Sequence, residues 1–532
     1  MRHSLLKAAA VAVLLCVVAR GWAESVGEHR LGFDGRQERT SDTHVSRVAE
    51  TAGQPTAVTA RAKWQFMRIA IFSDDVSDSG RYCTSPGQTR PDFLGGNITC
   101  GPDDILTGAK KQTLLEMLVP TAVRMHQKRL SVLRERGNIV VNSSVRHVSV
   151  CSQFSIPASH MTTGVADADF VLYVAAGPTS GNTVAWASTC QYFANGRPSI
   201  GAANVSPKYI LSDVRTVRIL THEILHALGF HIRNFRARGM VGAVPSLRGK
   251  SNVPVLKSPL VLAQARAHFG CRTQTFLELE DMGEGGTRYS HWKSRSMKDD
   301  LMAGTTEAGI YSAITIAAME DMGYYKGNYA MAEPMVYGQN AGCSLVTGKC
   351  IVDGVSQIPE MFCASPDILY TCTSSRLALG RCQMSNQTSP LPPQFQYFSD
   401  ATLGGNDPLM DYCPYVRAFV KAKCTHDGNT LKGSVFGVMS RCLDAPAGIA
   451  VGGQSYGQHG ICAEVKCATT TYAIKVNGAR TFAACTPGST VSLPTLSTTF
   501  TGGHITCPPY DSVCGMRVSA PQYDRYTAIL AR

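Results

Sequence analysis

Twelve of the 19 cysteines of this 532-residue chain fall between Cys350 and Cys514, a density that suits an oxidising compartment and not a reduced cytosol. Cys16 lies in the apolar leader, so 18 remain downstream, an even number able to form nine disulfides. The last third therefore reads as a stapled module. The first two thirds carry only Cys83, Cys100, Cys151, Cys190, Cys271 and Cys343, and must rest mainly on an apolar core. Hydrophobic residues at 44% and charged residues at 17% are enough to build one, which excludes a disordered or coiled-coil protein.

The leader supports the same compartment. Met1–Ala23 combines Arg2 and Lys7, an apolar run from Ala8 to Ala19, and Gly21-Trp22-Ala23 ending on a small residue, the pattern of a cleaved secretory signal. That run is about 12 residues against the ~20 a bilayer span needs, and Arg20 closes it. No later stretch resembles a span. The tail from Gly515 to Arg532 is short and polar and does not look like a lipid-anchor signal, so membrane association would need something other than an encoded anchor. The expected location is extracellular, as a released protein or at a cell surface. Secretion gives meaning to the sequons at Asn97, Asn142 and Asn386, which become expected glycosylation sites; Asn204 is followed by Ser206-Pro207 and is disfavoured. Lys plus Arg exceed Asp plus Glu by 51 to 39, or 48 to 39 once Arg2, Lys7 and Arg20 leave with the signal, but no basic run concentrates the excess. Nucleic acid is not an expected partner.

Residues 24–57 are polar and aperiodic, as in a pro-segment, and order is expected from about Trp64. Met67–Phe72 reads as a strand. Ile105–Leu133 reads as a helix kinked or split at Pro120. Asp169–Ala176 (DFVLYVAA) and Thr183–Ser188 read as buried strands, and a helix is expected from Pro207 through Val214, Val217, Leu220, Ile224 and Leu228, stopping at Gly229. Strands followed by a long helix predict an α+β first half.

That helix carries the chemistry. His222-Glu223-Ile224-Leu225-His226 puts two imidazoles at i and i+4, ~40° apart around the axis, so both reach one ion. Glu223 is one position round, placed to take a proton from a water held there. An exposed helix face bearing polar residues is the bland alternative. Leu220, Ile224, Leu225, Ala227, Leu228 and Phe230 argue for burial instead, and buried histidines need a partner such as a metal. Zinc needs a third protein ligand if a fourth position is to stay open. His231 falls one residue short of the HExxHxxGxxH position, which here is Ile232. His291 stands ahead of Leu301-Met302-Ala303-Gly304, where Met302 suits a turn beneath a zinc site. Both histidines stay open on spacing alone, His291 being favoured.

These residues resemble the leishmanolysin family of metzincin metalloproteases, in which about sixty residues separate the glycine from the third histidine. Here HEILHALGF spans 222–230, 61 residues run from Phe230 to Ser290, and HWKSRSMKDDLMAG spans 291–304. The likeness extends from about Trp64 to Pro509, through WASTCQYF at 186–193, MVYGQNAGC at 335–343, MDYCPYV at 410–416 and GGHITCPPY at 502–510. It implies one Zn²⁺ per chain on His222, His226 and His291, with Glu223 as base and Met302 below the metal. It implies a metzincin-like catalytic subdomain with a mixed sheet at 58–231, a central mixed subdomain at 232–348 and a disulfide-rich, mainly β domain at 349–532. Protein and peptide substrates, host or surface proteins among them, would add as a strand to the edge near Val184–Ser188.

Two departures stand out. The family's latency cysteine follows His-Arg; this chain has His29-Arg30-Leu31, and no cysteine lies between Glu24 and Arg81. A thiolate switch is therefore not expected. The second departure is the missing lipid-anchor signal. The alternative to a secreted zinc endopeptidase is a catalytically weak relative acting as an adhesin through its stapled C-terminal module.

Overall fold

The computed structural model describes residues 63–515, apart from 148–149, 284–285, 306–307 and 368, together with the short strand Val45–Ser46. The expected signal peptide, the rest of the expected pro-segment and the tail lie outside the described residues. Two compact units emerge. The larger gathers the described residues up to Phe362 with Ser385–Pro414; the smaller comprises Cys363–Met384 and Tyr415–Cys514.

The larger unit is built on a five-stranded mixed sheet in the order Val45–Ser46, Ala185–Phe193, Pro198–Val205, Phe170–Ala175, Ile69–Phe72. Phe170–Ala175 runs parallel to both its neighbours, and Ala185–Phe193 runs antiparallel to Pro198–Val205. Every residue of Phe170–Ala175 and Pro198–Val205 is buried, which is why the former reads as an unbroken apolar run rather than an alternation. A cluster including Phe93, Phe154, Tyr173, Trp186 and Ile200 forms the core on this sheet, tied by the Cys151–Cys190 disulfide.

The helix on the sheet runs Val214–Ala227 and not from Pro207, which heads only the 3₁₀ turn Pro207–Tyr209. Asp213 decides the start: its carboxylate accepts from the Thr216 amide at 2.7 Å, an N-cap that the proline cannot supply. Gly201 lets helix and sheet close, since a Cβ there would sit 3.0 Å from that of Ala227 and 2.7 Å from the Phe170 ring. The helix expected over Ile105–Leu133 is a rod of three stretches, Gly108–Gln112, a wider π-type Thr113–Leu118, and Val119–Gln127, followed by the strand Leu130–Val132. Pro120 falls in the first turn of the last stretch, where its missing N–H costs little, so the rod widens before it instead of breaking.

The smaller unit is mainly β. Its sheet runs Gln454–Tyr456, Ile449–Val451, Phe500–Thr506, Ser440–Asp444, Gly460–Cys467, Tyr472–Lys475, Ala483–Ala484, with Thr490–Ser492 joining Phe500–Thr506. Five disulfides staple it, 363–382, 372–442, 424–462, 467–514 and 485–507. Four more lie in the larger unit, 83–100, 151–190, 271–343 and 350–413, so all 18 cysteines downstream of the leader are paired. Among the described residues no helix is long and apolar enough to cross a membrane.

Candidate metal centre

From Thr216 to Ala227 every residue of the active helix is buried, so each polar side chain on it needs a partner. Arg218 finds Glu333, at 2.5 and 2.7 Å, and Glu333 also lies 3.5 Å from Arg129. These two guanidinium groups hold the Glu333 carboxyl below its ordinary range despite burial. The carbonyl of Thr221 accepts from His126 Nε2–H at 3.0 Å, and His126 Nδ1 then faces the Tyr311 hydroxyl at 3.2 Å. Buried and next to Arg129, His126 is pushed down to about 3 and stays neutral.

At the helix end the chain must turn at once. Gly229, at φ +113°, does so, and its carbonyl accepts from Asn234 Nδ2–H at 2.9 Å. His226 and His222, one turn apart, then project to the same place, where His291 joins them. The three Nε2 atoms lie 3.0, 3.0 and 3.2 Å from one another, and all three rings are buried.

The rings' other nitrogens fix what those distances mean. His222 Nδ1 lies 2.5 Å from the Leu301 carbonyl, His226 Nδ1 2.8 Å from that of Phe230, and His291 Nδ1 2.9 Å from that of Thr287. A carbonyl only accepts, so each Nδ1 carries the proton and each Nε2 keeps a bare lone pair. Burial holds the rings in this neutral form, lowering His291 to about 4 and His222 and His226 well below their usual range. The contacts between Nε2 atoms are therefore not hydrogen bonds. Three lone pairs facing one another at this range repel, and a shared cation removes the conflict. The triangle's centre is about 1.8 Å from each nitrogen, within reach of the ~2.0–2.1 Å of a zinc–imidazole bond. Among the described residues these three form the only group of His, Cys, Asp and Glu side chains that could hold a metal ion.

Glu223 is fully buried, and neither of its carboxylate oxygens has a hydrogen-bond partner. Burial pushes its carboxyl well above the ordinary range; the Ala187 amide, on the neighbouring strand Ala185–Phe193, opposes this without reaching hydrogen-bond geometry. A buried carboxylate without a hydrogen-bond partner is uncommon, and this one follows His222 directly in the helix.

The remaining expected residues fall as follows. Met302 is buried; its amide donates to Asp300 Oδ1 at 2.7 Å and its carbonyl accepts from the Trp292 amide at 2.9 Å, which sets its turn beside the His291 loop. His231 does not join the three: it caps the helix Ile232–Ala237, its Nδ1 accepting from the Arg233 amide at 3.1 Å. Asn97 and Asn386 are exposed, while Asn142 is half-buried with its side-chain oxygen accepting from the Ser144 amide at 3.0 Å.

What spacing did not reveal is how His291 is carried. Glu280 grips its loop on both sides: the Glu280 amide donates to the His291 carbonyl at 2.9 Å, and its carboxylate accepts from the Ser294 amide at 3.0 Å. Lys293, fully buried, bridges Glu280 at 2.8 Å, Asp281 at 2.9 Å and Asp411 at 2.7 Å. Asp411 also holds Lys250 and Arg248, each at 3.1 Å, and sits with Tyr412 in the left-handed region at φ +53° and +57°. The MDYC segment is thus clamped by three cations.

The model of the family described as leishmanolysin matches residues 23–520. The leishmanolysin homolog of Crithidia fasciculata is 41% identical over 484 residues, covering 88% of this chain and 74% of its own. The leishmanolysin of Leishmania donovani is 38% identical over 543 residues, covering 97% and 91%, and that of Leishmania major 38% over 567 residues, covering 98% and 93%.

Proposed function

Since the chain belongs to the leishmanolysin family and is a metalloendopeptidase, we propose that it hydrolyses peptide bonds of extracellular proteins, with one zinc ion on His222, His226 and His291 and Glu223 as general base. The observation that carries this reading is the buried, unpartnered Glu223 carboxylate beside three imidazole lone pairs aimed at one another. When bound, zinc supplies Lewis acidity for the scissile carbonyl and lowers the pKa of a water towards ~7.

The chain's own residues do the rest. Glu223 takes the proton of the attacking water on a carboxylate oxygen and gives it to the leaving amine nitrogen as the C–N bond breaks. Its burial keeps that proton from bulk water in between. The backbone carbonyls of Leu301, Phe230 and Thr287 hold the three imidazoles in the tautomer that ligation needs. Ala185–Ser188 pairs on its inner side with Val205–Ala202, and among the described residues only Val45–Ser46 pairs with the outer side of that strand, further along at Tyr192 and Phe193. An extended peptide adds at Ala185–Ser188 through its main chain, which asks little of substrate sequence. Sugars at Asn97, Asn142 and Asn386, and the catalytic, central and C-terminal divisions at 58–231, 232–348 and 349–532, belong to this reading, as does an extracellular or cell-surface location.

Zymography of the secreted protein, with and without a zinc chelator and alongside a metal assay, tests it. One zinc per chain and cleavage that the chelator abolishes and added zinc restores are expected. Cleavage indifferent to the chelator would overturn the proposal, and zinc-loaded protein that leaves casein intact would favour the adhesin reading.

A further inference from the structure

The three imidazoles are not held alike. His226 and His291 each donate to a carbonyl four residues away on their own segment, Phe230 and Thr287. The acceptor for His222 is Leu301, 79 residues on, so its place depends on something outside the helix. Asp300 is that something. Fully buried, it accepts from the Met302 amide at 2.7 Å, the Thr315 hydroxyl at 2.7 Å and the Ser312 hydroxyl at 2.5 Å. Ser312 caps the helix Ala313–Asp321, so the carboxylate ties the Leu301–Met302 turn to the start of a rigid element.

The same carboxylate reaches His291. Trp292, the next residue, donates its indole N–H to Thr315 Oγ1 at 2.8 Å, and the Thr315 hydroxyl in turn donates to Asp300 Oδ1 at 2.7 Å. The Trp292 amide meanwhile donates to the Met302 carbonyl at 2.9 Å. Two histidines from segments far apart in sequence are thereby referred to one anion, neither touching it.

We propose that Asp300, acting through Leu301 and the Thr315–Trp292 chain, is a positioning residue that sets the zinc affinity of the centre; this rests on the zinc reading above. The test uses the full chain and its D300N, T315V and T315S variants. Zinc affinity is measured by competition with a chromophoric chelator, the Co²⁺-substituted absorption spectrum is recorded, and melting is followed in parallel. D300N should bind zinc about 10- to 100-fold more weakly, with an altered Co²⁺ spectrum, as loss of an outer partner does. T315V, which strips the hydroxyl from both Asp300 and the indole, should weaken zinc roughly tenfold, while T315S restores affinity to within about twofold. A folded D300N with wild-type affinity and spectrum, melting lower only, would make Asp300 merely structural and overturn the proposal. If D300N fails to fold, T315V decides, and unchanged affinity there overturns it. Wild-type protein that takes up no zinc would bring down the zinc reading and this proposal together, whereas zinc-binding wild type with indifferent variants refutes the positioning role alone.

Discussion

Replacing Glu223 by Gln should separate stability from catalysis. The side chain is fully buried, with both oxygens unpartnered, so in the metal-free protein a charge there has little to offset its lost hydration. An orphaned buried polar group costs on the order of 1–3 kcal/mol, more when charged. The carboxyl is raised by burial, so the folded state resists ionisation, and the cost grows as pH climbs above the ordinary glutamate value and the unfolded chain ionises freely. Glutamine keeps the shape and removes the charge. Metal-free E223Q should therefore melt at least as high as metal-free wild type, by a few degrees at pH 8 for about 1–2 kcal/mol, with the gap narrowing towards pH 4. Zinc content should be unchanged, since Glu223 is not one of the three converging imidazoles. Proteolysis should fall by roughly 10²- to 10⁴-fold, the share a positioned acid–base group supplies. Scanning calorimetry across pH and a fluorogenic peptide assay at saturating zinc measure the two effects. A variant that cleaves at near wild-type rate, or that melts well below wild type, would show that the carboxylate is a structural group and refute the argument.

Asp411→Ala removes the carboxylate that Lys293, Lys250 and Arg248 all contact, and should cost about 3–5 kcal/mol, read as a lower urea midpoint for loss of activity. Thiol-reactive mercurials should not activate the protein, because Leu31 stands where a latency cysteine would and all 18 cysteines from Cys83 to Cys514 are paired; clear activation by a mercurial would contradict this. His126 titrates at about 3 in the fold against about 6.5 unfolded, so stability is lost as pH falls below 6.5, by about 2 kcal/mol at pH 5. H126Q should lack that part of the acid loss, and urea titrations of both proteins at pH 7 and pH 5 should show it.

The chemistry-bearing residues were legible because helical geometry alone brings His222 and His226 together, and because the spacing to His291 matched a known arrangement. The strand Phe170–Ala175 was legible for a similar reason, since a strand covered on both faces must be apolar at every position. The segment Lys293–Asp300 was not. KSRSMKDD carries five charged side chains in eight residues, yet every one of its residues is buried. Its charges have local reasons that no periodicity encodes: Lys293 meets three carboxylates, Arg295 donates to the carbonyls of Leu345 and Gly348, Lys298 pairs with Asp299 at 2.8 Å, and Asp300 holds a turn.

A polar run can be buried only if partners distant in the chain are already in place, as Asp411 is for Lys293, and such partners cannot be read from one segment. That interior polarity also has a use. An apolar filling could support the His291 loop from many near-equivalent packings, whereas directed hydrogen bonds and ion pairs to Glu280, Asp300 and Asp411 allow few. Three rings whose nitrogens must meet within about 3 Å tolerate little error, so the same residues that look out of place in the sequence are the ones that hold the centre to its geometry.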